Sequence, residues 1–244
     1  MLAIIGGTGL TELANLNVSR RQVVLTPYGE PSGPLTFGAI RGVPVVFLPR
    51  HGDGHTIPPH QVNYRANLWA LKEQGAGEIV SVVSVGGIRK DFGPGKIVVP
   101  HQIIDYTWGR TSTFFENDAQ VRHIDFTEPF SAGLRNRLLL AAGMCGETAI
   151  DGAVYAATQG PRLETAAEID RLEREGADIV GMTGMPEAAL AREIELEYAA
   201  IAVIVNHAAG RGESARGVSL QQIEEVLKDG VGRVRRILEA FVAA

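Results

Sequence analysis

Six short stretches of this sequence carry side chains that could do chemistry, and most of them sit where an apolar run stops. Gly6-Gly7-Thr8-Gly9 follows Leu2–Ile5. Glycines around a threonine can turn N–H groups and a hydroxyl toward an anion. Arg50-His51-Gly52-Asp53-Gly54-His55 follows Val43–Leu48, and a guanidinium beside an imidazole offers phosphate a bidentate contact plus a point contact. Ser84-Val85-Gly86-Gly87 closes the β-branched run Ile79–Val85, Met182-Thr183 adds a second hydroxyl, Asn206 adds a carboxamide, and Glu164 follows Gly160-Pro161. Singly, these read as turns and caps, or as core packing for Met182. Jointly they describe one anion-binding crevice at the carboxyl edge of a sheet, where open α/β sheets bind their ligands.

Three other chemistries compete for these residues. A dinucleotide fingerprint needs G-x-G-x-x-G, and Glu12 stands where the third glycine belongs. His51, Asp53, His55 and His60 could gather a metal, although no Asp/His set elsewhere shows ligand spacing. The Arg-His-Gly triplet also resembles that of the phosphohistidine phosphatases, where it ends the first strand; here two or three strands precede it.

The elements that must position these groups follow from hydrophobic period. Strands are expected at Leu2–Ile5, Gln22–Thr26, a hairpin Leu35–Ile40 and Val43–Leu48 turning at Arg41-Gly42, Ile79–Val85, Ile97–Ile104, Ala149–Thr158, Ile179–Met182 and Ile201–Val205. Helices are expected at Val62–Glu73, Leu134–Cys145, Glu164–Glu175, Pro186–Glu197 and Leu220–Val242, the last with Val226, Leu227, Val234, Ile237, Leu238 and Phe241 on one stripe. Residues 106–128 show no period and read as a long loop, which in a compact domain is usually functional. Alternating strands and helices predict an α/β fold: a single domain over residues 1–244 with a mixed, mostly parallel sheet flanked by helices.

Composition narrows the class. With 244 residues, 45% of them hydrophobic, the chain can bury a core without disulfide or structural metal. Cys145 is the only cysteine, which excludes an intramolecular disulfide and fits a reducing cytoplasm. The net charge of −5, without a basic block, argues against a nucleic-acid partner or a membrane-binding face. No apolar run approaches the roughly 20 residues of a spanning helix.

Five motifs in order along nearly the whole chain carry a resemblance: Ile5-Gly-Gly-Thr-Gly9, Arg50-His51-Gly52 through His55-Thr56-Ile57-Pro58, Val62-Asn63-Tyr64, Gly160-Pro161-Arg162 and Gly181-Met-Thr-Gly-Met-Pro-Glu187. The sequence resembles the trimeric purine nucleoside phosphorylases, and within them the methylthioadenosine phosphorylases. The resemblance implies cleavage of a purine N-glycosidic bond by inorganic phosphate as co-substrate, with no metal or organic cofactor. It implies phosphate binding by Thr8, Arg50, His51, Ser84 and Thr183, with Met182 under the sugar and Asn206 donating to purine N7. The methylthioadenosine branch has Thr-Ala where this chain has Val83-Ser84.

Two departures from that branch bear on substrate. Asn206-His207-Ala208 stands where it has Asp-x-Asp, so both acceptors for a 6-amino group are gone, and Gly160-Pro-Arg-Leu-Glu-Thr165 resembles the G-P-x-F-E-T of inosine and guanosine enzymes, whose glutamate receives N1–H. Glu164 facing N1 of adenine would set two acceptors against each other. At the sugar end, Leu220 stands where those enzymes carry a histidine for the 5′-hydroxyl. The combination predicts a 6-oxopurine base with an apolar 5′ group, hence 5′-methylthioinosine. His123 resembles the segment that reaches a neighbouring subunit's 5′ pocket, implying a homotrimer.

Overall fold

The apolar runs do assemble into one sheet. In the computed structural model, which describes residues 1–116 and 120–244, the strands are β1 (Leu2–Gly6), β2 (Asn17–Gln22), β3 (Leu35–Ile40), β4 (Val43–Pro49), β5 (Glu78–Gly87), β6 (Ile97–Val99), β7 (Gln102–Asp105), β8 (Ala149–Asp151), β9 (Val154–Ala157), β10 (Ile179–Gly181) and β11 (Glu197–His207). The helices are α1 (Tyr64–Glu73), α2 (Ala132–Met144), α3 (Ala166–Arg174), α4 (Gly184–Glu193) and α5 (Leu220–Ala243). The sheet is mixed and mostly parallel, as the alternation of elements implies.

β5 is its axis. Ile79, Val83 and Val85 pack in the cluster that holds α1 and α4, while Val80 and Val82 pack in the cluster that holds α2 and α5, as the two-residue alternation of a strand requires. Such burial stabilises by roughly 1.5–3 kcal/mol per large aliphatic side chain. The α5 stripe is as expected, except that Val231 joins the core while Val226 is half-buried.

The pairing around β5 makes room for a site. On one side β11 pairs along the whole strand. On the other, β1 pairs with Glu78–Ser81 and β10 with Gly86 and Gly87, which leaves residues 82–85 without a strand neighbour on that side. The sheet therefore forks, with β11, β6 and β8 on one limb and β10, β9 and β7 on the other.

That fork explains two departures from the expected elements. Ile97–Ile104 divides at Pro100, where a ladder donor is missing, and Ala149–Thr158 divides at Gly152, whose φ is +85°. Each divided run crosses from one limb to the other. The second strand lies at Asn17–Gln22 rather than Gln22–Thr26. Its residues are mostly exposed and include Arg20 and Arg21, a charged edge that discourages edge-to-edge association. The helix expected at Pro186–Glu197 stops at Glu193, because Glu197 opens β11. The hairpin turn is as expected, with Arg41 at φ +50° and Gly42 at +83°, the primed geometry that matches strand twist.

Candidate active site

A cavity of about 490 Å³ opens over the unpaired stretch of β5 and collects Thr8, Arg50, His51, Ser84, Glu164, Met182, Thr183, Asn206, Ala208 and Leu220. These are the sequence-derived candidates apart from His123, which is exposed and lies outside the cavity of this chain. Arg50 follows the fourth strand, not the first, so the phosphatase arrangement is not reproduced.

The glycine turn after β1 is built for close approach. A Cβ on Gly7 would stand 2.5 Å from Val82 O and 3.0 Å from Arg50 Nη1. Gly9, at φ +79°, lies where a Cβ would meet Leu227 at 2.7 Å. Between them, Thr8 Oγ1 lies 3.1 Å from His55 Nε2, within hydrogen-bonding distance.

Arg50 is completely buried, and its fork is already occupied. Nε donates to Glu187 Oε2 at 2.7 Å, Nη2 to Glu187 Oε1 at 3.0 Å and to Ser81 Oγ at 2.6 Å, and Nη1 to Val82 O at 3.2 Å. Five N–H groups less four bonds leave one donor, on Nη1, for a ligand. The bidentate phosphate contact expected from sequence is therefore replaced by a single N–H, because the fork serves an internal carboxylate. Glu187, 1% exposed, also accepts from Ser81 Oγ at 2.7 Å and Tyr198 Oη at 2.8 Å. Burial alone would weaken the Arg50 charge, but Glu187 reverses this and raises the pKa. Burial first, then the Glu187 charge, hold the Tyr198 hydroxyl well above its usual 10.

His51 differs from expectation as well. Its Nδ1–H donates to Ile57 O at 2.8 Å, and burial, followed by repulsion from Arg50, lowers its pKa to about 4. At neutral pH it is an uncharged ring whose remaining nitrogen can accept. Hydrogen phosphate dianion carries one P–OH, which suits such an acceptor. Ser84 is half-buried, with no hydrogen-bond partner for Oγ among the described residues. Thr183 is buried at the start of α4, where its hydroxyl does not cap the helix.

Asn206 and Glu164 come from two segments of the chain. β11 changes register against β5 between Ile204 and Asn206, a bulge that re-aims Asn206 at the strand's end. Its Nδ2 donates to His207 O at 2.6 Å and keeps a second N–H available. In the same cavity, Glu164 Oε1 accepts from Thr158 Oγ1 at 2.6 Å, leaving further lone pairs to accept from a ligand. Ala208 is buried and supplies no polar group. At the mouth, Val218, Leu220 and Ile223 form an apolar rim, with Leu220 68% exposed.

Sequence reasoning missed Glu187, Ser81 and Tyr198. Glu187 did carry a signal: a lone acid in the otherwise apolar Met185–Leu190, where burial demands a cation.

The sequence profile of the phosphorylase superfamily matches residues 1–243. A probable S-methyl-5′-thioinosine phosphorylase of Pseudomonas syringae pv. tomato is 55% identical over 99% of this chain and 98% of its own. A 6-oxopurine nucleoside phosphorylase of Pyrococcus furiosus is 42% identical over 98% of this chain and 91% of its own. Among solved structures, methylthioadenosine phosphorylase from Schistosoma mansoni in complex with adenine superposes with a TM-score of 0.93 at 35% identity, covering 99% of this chain and 90% of that one. With a profile match over nearly its full length and relatives of such identity, the chain belongs to the phosphorylase superfamily.

Proposed function

We propose that the protein cleaves 5′-methylthioinosine with inorganic phosphate, giving hypoxanthine and 5-methylthioribose 1-phosphate. The C1′–N9 bond breaks as a phosphate oxygen bonds to C1′, and the electron pair leaves with the purine. Positive charge develops on the ribosyl ring and negative charge on the base, so the site must serve both. Thr8, Arg50, His51, Ser84 and Thr183 hold the dianion beneath the sugar, where positioning supplies much of the rate. Because Glu187 already neutralises Arg50, the bound dianion keeps its charge to face the ribosyl cation. Met182 lies against the sugar, Asn206 donates to N7 of the leaving purine, and Glu164 accepts N1–H.

The observation that carries the base preference is that Asn206, Ala208 and Glu164 line the same cavity. No carboxylate is present at 206 or 208 to receive a 6-amino group, and Glu164 needs a donor at N1. Once a bound base covers it, a hydrogen-bonding pattern of this kind can reject the mispaired analogue by up to roughly four to five orders of magnitude. The apolar rim at Leu220 suits a methylthio group, and a relative named for methylthioinosine supports the same reading. The reading includes one phosphorylase unit over residues 1–244 in a cytoplasmic homotrimer. His123 is exposed and completes a neighbour's 5′ pocket. No metal or organic cofactor takes part. No helix among the described residues is long and apolar enough to cross a membrane.

The test is base release from methylthioinosine, methylthioadenosine and inosine at equal concentration, with and without phosphate. Phosphate-dependent release of hypoxanthine should be fastest from methylthioinosine; preference for the adenine compound would overturn the base assignment. A general inosine and guanosine phosphorylase is the second reading, favoured by the 68% exposure of Leu220. Equal turnover of inosine and methylthioinosine would select it.

A further inference from the structure

Arg110 lies in the aperiodic loop after β7 and lines none of the substrate cavity, yet its half-buried guanidinium reaches both chains that carry the site. Nη1 donates to Met182 O at 2.8 Å, Met185 O at 2.6 Å and Tyr64 Oη at 3.3 Å. Nη2 donates to Gln159 O at 2.8 Å and Thr158 O at 3.3 Å, and Nε to Gln159 Oε1 at 3.2 Å. All six acceptors are neutral, and no carboxylate pairs with Arg110 among the described residues.

The placement of these acceptors is informative. β9 and β10 pair in parallel up to Ala157 and Gly181, and Thr158 N–H still donates to Gly181 O at 2.8 Å. Beyond that point the chains diverge. One runs through Thr158 and Gln159 to Glu164, which Thr158 holds by its hydroxyl; the other runs through Met182 and Thr183 into α4. The carbonyls past the end of the ladder have lost their strand partners, and Arg110 gathers them from both chains at once.

Resting on the phosphorolysis reading, we infer that Arg110 is a positioning residue, one that fixes the base-reading Glu164 relative to the sugar- and phosphate-facing Met182 and Thr183. A planar fork suits this role. It spans acceptors on two chains within one rigid plane, whereas an ammonium on the same backbone offers three donors from one point. A change in this spacing alters turnover and base discrimination together, since Glu164 and Met182 serve different parts of the substrate.

The experiment compares wild type, Arg110→Lys and Arg110→Ala for kcat, for KM of nucleoside and phosphate, and for the preference for methylthioinosine over methylthioadenosine. Circular dichroism confirms folding. Arg110→Lys should lose on the order of 100-fold in kcat, the cost of a displacement near 1 Å, and its base preference should narrow. Millimolar guanidinium should restore part of the kcat of Arg110→Ala. A folded Arg110→Lys with wild-type kcat and wild-type preference overturns the inference, as does a loss of kcat in Arg110→Ala that guanidinium leaves untouched while base preference stays intact. Wild-type turnover in the same assay separates the two ideas. Its absence removes phosphorolysis and this inference with it, whereas its presence beside an unperturbed variant removes only the role of Arg110.

Discussion

Replacing Glu187 by Gln tests the electrostatics at the floor of the site. The carboxylate is 1% exposed and receives donors from Arg50, Ser81 and Tyr198. A carboxamide keeps the shape but leaves the Arg50 charge buried without a counterion, and it turns one acceptor into a donor facing other donors. Removing one partner of such a pair costs about 3–5 kcal/mol. For a chain of this length each kcal/mol lowers the melting midpoint by roughly 2–4 °C, so the expected fall is about 6–20 °C. Glu78→Gln is the control. Its partner Arg137 is 2.6 Å away, but both side chains are partly exposed, 37% and 45%, and such pairs contribute about 0–1 kcal/mol. Calorimetry at low and high salt distinguishes the two, because the buried pair lies beyond the reach of mobile ions. A Glu187→Gln midpoint within 2 °C of wild type, or a deficit that added salt repairs, would refute the assignment of Arg50 to an internal carboxylate.

Other expectations follow from the same geometry. Asn206→Asp restores an acceptor for a 6-amino group and should shift the kcat/KM ratio toward methylthioadenosine by at least about tenfold; unchanged discrimination removes Asn206 from its role. Gly7→Ala puts a Cβ 2.5 Å from Val82 O and 3.0 Å from Arg50 Nη1, and the displaced donor should raise the KM for phosphate at least about tenfold, whereas a wild-type phosphate KM would separate Gly7 from the anion site. His51 is depressed from 6.5 to about 4, so its contribution to stability is complete above pH 6.5 and fades as pH falls toward 4. Between pH 7 and 4.5 the wild type should lose about 2–3 kcal/mol more than His51→Asn in urea unfolding; parallel losses would mean that His51 is not held neutral.

Most strands and all five helices were legible because their burial follows a simple period: β5 alternates between two clusters, and the α5 stripe repeats at helical spacing. Segments whose geometry depends on distant partners were not. Polar Asn17–Gln22 becomes an edge strand because β3 offers it a ladder, and Pro100 and Gly152 break runs because the sheet forks there. Thr8, Arg50, Ser84, Met182 and Asn206 could be named in advance because strand ends converge at one sheet edge, whereas Ala208 and Leu220 were named only through the family resemblance. The site's electrical states could not be named so: Arg50 and Glu187 are 137 residues apart, and local spacing carries no record of that encounter. Arg110 shows the same limit, since four of its six acceptors are backbone carbonyls, which leave no mark in the sequence.

The most direct measurement is a crystal structure with hypoxanthine and sulfate soaked into the cavity. Asn206 Nδ2 should lie within hydrogen-bonding distance of N7 and Glu164 within reach of N1–H, with the sulfate against Thr8 and the single free N–H of Arg50. A purine turned away from both side chains, or an anion seated elsewhere, would contradict the account.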